Sequence, residues 1–117
     1  MASKAKRAHY VLNKEAARAA IVARTAELNQ HYHFEYNRIA IRAQRSRWGS
    51  CSKKGNLNFN YMIAALPADL MEYVIVHELC HLAVFNHSRA FWDEVAKVVP
   101  EFRVARAKLR LFWHLLK

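Results

Sequence analysis

Leu70-Met71-Glu72-Tyr73-Val74-Ile75-Val76-His77-Glu78-Leu79-Cys80-His81-Leu82-Ala83-Val84-Phe85 is the stretch whose reading decides the fold. Its apolar residues fall on almost every side of a 3.6-residue period, and a helix that is apolar all round sits at the centre of a domain. Pro67 suits a first helical turn, and Asp69 complements the positive N-terminal end of the helix dipole. The expectation is therefore a buried helix over Leu70–Phe85. Three ionisable groups, His77, Glu78 and His81, interrupt it, and burying them costs free energy unless they pair with something or hold a metal.

His77-Glu78-Leu79-Cys80-His81 is an HExxH motif. Its histidines stand at i and i+4, so both imidazoles leave the same helix face and can reach one Zn²⁺. Glu78 borders that face without having to be a ligand, and there it can take a proton from a water that the metal activates. A catalytic zinc takes three protein ligands and keeps one open position. His87 follows His81 by six residues, the spacing of the metzincin third histidine, and sits where a polar break, Asn86-His87-Ser88, bends the chain. The metzincin glycine is replaced by Val84, and Met1, Met62 and Met71 all precede the site, so no Met-turn follows it. Glu94 and Glu101 are rivals at gluzincin-like distances; His87 is preferred because a bend at the helix end can swing it over the metal. Cys80 reads as core filler. Cys51 reads the same way, with a role as alternative ligand left open.

Outward from this helix, Asn13 is a fair N-cap for an Ala-rich helix from Lys14 to Tyr32, whose apolar stripe runs through Ala17, Ala20, Ile21, Arg24 and Leu28. Arg38–Arg42 and Arg45–Cys51 read as strands. Ser52–Asn56 is a turn, with Gly55 able to take the positive φ of a tight hairpin. Leu57, Phe59 and Tyr61 alternate with Asn56, Asn58 and Asn60 as a half-buried strand. Together these imply a small antiparallel sheet, whose edge suits an extended peptide. Ser88 can cap a helix to Val99, and a basic amphipathic helix runs from Glu101 to Lys117. The whole, 1–117, reads as one α+β domain, the sheet packed against the N-terminal helix and the HExxH helix. With 117 residues it can bury a core without disulfides.

Two glycines and two prolines are too few for a turn-dense all-β barrel or a Gly-rich phosphate loop. The net charge of +10 invites a nucleic-acid partner. That charge is uneven: residues 1–60 hold 12 basic and 3 acidic side chains, 61–100 hold 2 and 5, and 101–117 hold 5 and 1. Nucleic acid would thus be reached through the basic flanks, by a binding module or a DNA-linked protease. Two cysteines without a secretory signal, and no apolar run of membrane-spanning length, point to a cytoplasmic chain with reduced thiols and no membrane partner, expected to be a monomer.

The HExxH block, Asn86-His87-Ser88 and Phe91-Trp92, preceded by Arg47-Trp48-Gly49-Ser50-Cys51-Ser52 and Asn60–Pro67, resembles the YgjP-like metallopeptidases, relatives of the SprT and WLM-type zincins. The resemblance spans Arg38–Trp92. It implies a minimal zincin fold with one zinc on His77, His81 and His87, Glu78 as general base, and a peptide or protein substrate. Members of the family usually carry a longer N-terminal region, so a reduced upper sheet is expected here. Substrate contacts are assigned to Trp48 or Arg47 lining the cleft and to the rim residues Asn58, Asn60 and Tyr61, with a core role for Trp48 and a bulge at Gly49 as the competing reading. Trp92 is expected to pack on the site helix. The oxyanion stabiliser stays open between Tyr61, Tyr73, Asn86 and Arg89.

Overall fold

The structure, a computed structural model, describes residues 14–44 and 46–116. The cap expected at Asn13, the basic start of the chain, Arg45 and Lys117 lie outside the described residues. Helix α1 spans Lys14–Asn29 and buries Ala17, Ile21, Thr25 and Leu28, a single stripe at i, i+4, i+8 and i+11. Thr25 is tolerated there because its hydroxyl donates to Ile21 O at 2.7 Å. Arg24 lies beside the stripe and pairs with Glu27 and Glu72. The helix stops three residues before Tyr32. Asn29 closes it, donating to Phe34 O and accepting from Phe34 N, and His33 takes a positive φ of 62°.

Strands β1 (Arg38–Arg42), β2 (Gly49–Cys51) and β3 (Asn56–Asn60) form one sheet in the order β1-β3-β2. The β2–β3 hairpin is antiparallel and turns at Gly55, whose φ is 83°. β1, however, pairs parallel to β3, so the sheet is mixed where antiparallel pairing throughout was expected. After β1 the chain crosses the end of the sheet to its opposite edge before the hairpin returns between the two, and alternation of side chains is blind to that direction. Asn60 pins the crossing: its amide donates to Gln44 O at 2.9 Å and to Arg47 O at 3.2 Å. Its Oδ1 also accepts from Met62 N, capping a 3₁₀ helix over Tyr61–Ala65.

Helix α2, Ala68–His81, is the central element anticipated from its composition, with Leu70, Val74, Ile75, Val76 and Leu79 buried. It packs on α1, on β2 and on the two C-terminal helices α3 (Arg89–Ala96) and α4 (Phe102–Leu116). It ends four residues before Phe85, as Leu82, Ala83 and Val84 turn back on Leu79 and Cys80. Helix α3 buries Phe91 and Val95, and α4 buries Phe102, Ala105 and Leu109 at i, i+3 and i+7. Both cysteines are free thiols. Among the described residues, no helix is long and apolar enough to cross a membrane.

Candidate metal centre

Helix α2 delivers His77 and His81 from one face, and the turn after it brings back His87 from the loop before α3. The three Nε2 atoms lie 3.1–3.2 Å from one another. The opposite ring nitrogens are engaged elsewhere. His81 Nδ1 lies 3.0 Å from the carbonyl of Val84. A carbonyl only accepts, so Nδ1 carries the proton and Nε2 presents a bare lone pair. His77 Nδ1 lies 3.4 Å from the Tyr73 hydroxyl, one helical turn earlier. Burial, then the neighbouring His81 and His87 and finally Arg106, pushes His77 down to about 3, while burial also lowers His81.

This donor set fits a metal. Tetrahedral zinc with Zn–N bonds of about 2.0–2.1 Å spaces its ligand nitrogens by about 3.3 Å. Lone pairs crowded at that distance repel one another unless a cation sits between them. The three histidines form a group able to hold one ion. The rival Glu94 is turned away, ion-paired with Lys97 at 2.8 Å, and Glu101 is outside the cluster.

Phe91 is the base of the site. It is fully buried, stacks on His81 at 4.3 Å between centroids, and meets His77 and His87 edge-on. Trp92 lies alongside His87 at 5.9 Å and stacks on Phe102 of α4, so it ties the site to the last helix.

Glu78 is buried and stands beside the triad without joining it. Burial pushes its carboxyl up to about 8, and the Arg47 guanidinium opposes that rise. Strand β2 runs directly over it: a Cβ built on Gly49 would lie 3.2 Å from Glu78 Cγ, 2.9 Å from Asn58 O and 3.3 Å from Phe59 Cδ1. Gly49, the first residue of β2, is thus a point of close approach between sheet and site helix, paired in register with Phe59 and not at a bulge. Cys51 lies further along the same cleft, its thiol raised to about 11 by burial and by Glu78, and it is not part of the cluster.

The residues expected to hold substrate divide. Trp48 lines a cavity of ≈ 410 Å³ that reaches His77 and Glu78, and meets Trp113 edge-on at 4.9 Å. Asn60 is fully buried and spends its side chain on the crossing loop and the 3₁₀ cap. Asn58 and its strand are central in the sheet, paired on both sides, and its Oδ1 accepts from Arg42 at 3.3 Å. Tyr61 belongs to the 3₁₀ helix. The structure therefore takes the rim role away from β3, because the open edge over the cleft is β2. Of the four oxyanion candidates, Tyr73 lines the cavity, with its hydroxyl on His77. Sequence reading missed Arg106, Arg110 and Trp113, which α4 brings to the cavity wall. Their one signal was the alternation of arginine with large apolar residues along the last helix.

A short sheet laid over an HExxH helix, with a third histidine folded back onto it, defines a metallopeptidase centre. The chain belongs to the YgjP-like family: the model of the YgjP-like metallopeptidase domain matches residues 1–112. Among solved structures it is similar to the metallopeptidase zymogen abylysin of Pyrococcus abyssi, at 25% identity and a TM-score of 0.69, over 83% of this chain and 96% of that one. The metallopeptidase zymogen jannalysin of Methanocaldococcus jannaschii shares the fold at 24% identity and a TM-score of 0.66, over 81% and 96%. No curated protein matches by sequence.

Proposed function

We propose that the protein is a zinc-dependent peptidase with His77, His81 and His87 as its metal ligands and Glu78 as its general base. The observation that carries this reading is the convergence of three Nε2 atoms to 3.1–3.2 Å beside a buried carboxylate that is not among them. A Zn²⁺ ion held by these three histidines would supply the Lewis acidity that activates water and polarises a peptide carbonyl. Glu78 takes the water's proton and delivers it to the leaving amine, the two halves of general acid–base catalysis by one group. Val84 O and the Tyr73 hydroxyl hold two of the imidazoles in register, as the outer partners of metal-binding histidines do.

Substrate binding falls to the edge of β2. Trp48 O accepts from Asn60 N, and Ser52 N donates to Asn56 O, on either side of the pair Ser50–Asn58. Bonded and non-bonded pairs alternate along an antiparallel ladder. Gly49 and Cys51 therefore turn their N–H and C=O groups to the open edge, above His77 and Glu78. An extended peptide adding a strand there would lay a peptide bond across the site.

Removing the metal with a chelator and restoring about one equivalent of zinc tests the reading. Hydrolysis of a denatured protein substrate should disappear and return. Activity indifferent to chelation would overturn it.

A further inference from the structure

The cavity beside the triad has a chemistry of its own. It is lined by Trp48 and Trp113, by Val74 and Leu109, and by three guanidinium-bearing residues, Arg47, Arg106 and Arg110. Glu78 is the one carboxylate among its lining residues, and it is the proposed general base. All three arginines are solvent-exposed, and none takes part in the ion pairs found among the described residues. Arg106, one of the lining residues, lies over the Trp92 ring at 4.9 Å. Its field reaches inward as well: it adds to the burial and histidine neighbours that lower His77, and it opposes the burial that raises Tyr73, as Arg47 opposes the burial that raises Glu78.

These charges come from two separate basic regions of the sequence. Arg47 belongs to the loop before β2, and Arg106 and Arg110 to α4, whereas the intervening 61–100 segment is net acidic. Folding brings part of the basic flanks to the mouth of the cleft. Some of the positive charge that suggested a polyanion partner is thereby accounted for at the site itself.

We propose that this cavity is a side-chain subsite that selects peptides presenting a large apolar or aromatic residue next to a carboxylate. The apolar side chain packs against the edge-to-face Trp48–Trp113 pair and against Val74 and Leu109 in the cavity. The carboxylate meets the arginines, whose planar forks suit it. It comes either from an acidic side chain or from the peptide's own C-terminus. This inference rests on the peptidase reading for its consequence, but the binding it describes does not require turnover.

Four matched peptide series test it, each with Phe at the candidate position: flanked by Asp, flanked by Lys, ending in a free acid, or ending in an amide. Binding to the full-length protein is followed by tryptophan fluorescence, and hydrolysis by the zinc-loaded protein as kcat/KM. The carboxylate-bearing peptides should bind about tenfold more tightly than their Lys or amide counterparts, less so as salt rises. Comparing the Asp-flanked and free-acid series identifies which source is read. Reversing charge in R47E and R110E should remove the preference, weakening the carboxylate-bearing peptides about tenfold more than the amide series. Equal binding of all four series, or an equal loss in all four on charge reversal, overturns the inference. Charge-selective binding with no hydrolysis would leave the subsite standing and overturn the peptidase reading instead. Hydrolysis without selectivity would do the opposite.

Discussion

Gly49 of β2 lies so close to Glu78 of α2 that a Cβ on the glycine would come within 3.2 Å of the Glu78 Cγ. The contact couples strand to helix at the carboxylate itself, and glycine is the residue that permits it. Gly49→Ala should cost about 1–3 kcal/mol in stability, the usual range for overpacking, because the neighbouring Asn58 O and Phe59 ring are fixed by the sheet and core. Peptidase activity should fall with the displaced carboxylate while zinc stays bound. Denaturant melts together with metal analysis check this; unchanged stability and activity would mean the approach is not tight.

Asn60 is expected to be structural. Asn60→Ala leaves the carbonyls of Gln44 and Arg47 and the Met62 N–H without their partner, a loss of about 2–3 kcal/mol for a buried group. Unfolding in urea reads that loss. A raised KM at unchanged stability would instead return Asn60 to the substrate.

How far the site could be read from sequence follows from the range of each interaction. His77, Glu78 and His81 lie within one helical turn of each other, so the 3.6-residue period alone places them together. His87 lies one loop further, and its arrival depends on the bend after His81. The chain ends that bend early: α2 stops at His81, although Ala83–Phe85 continue the apolar run, and Phe85 is left 44% exposed. The direction of β1 was hidden because side-chain alternation is the same for parallel and antiparallel pairing. Asn60 looked like the polar half of a rim strand, and only the crossing loop reveals why an amide is buried there. Arg106, Arg110 and Trp113 reach the cavity from a helix about thirty residues beyond the motif, and the arginine-and-apolar pattern of that helix does not report which element it will meet.

Tyr73 is expected to be a positioning residue. Tyr73→Phe keeps the ring and removes the hydroxyl that faces His77 Nδ1, so zinc affinity should fall about tenfold with stability changed by less than about 1 kcal/mol. Competition with a zinc-binding dye measures the affinity. Unchanged affinity would show that His77 needs no such partner.

His87 is expected to be a direct ligand and should matter more. His87→Ala should weaken zinc by more than the roughly 10–100-fold that follows loss of an outer partner, and dialysed protein should retain well under one equivalent. Full retention by H87A would transfer the third position to another group.

The central claim is that Glu78 performs chemistry on a metal it does not hold. Glu78→Gln keeps the side chain's size and removes its basicity, so zinc content and kcat measured on the same preparation separate the two roles. The account predicts one equivalent of zinc in both proteins and a kcat lower by about 10²–10⁴-fold in the variant. Undiminished hydrolysis by zinc-loaded E78Q, or loss of the zinc itself, would contradict it.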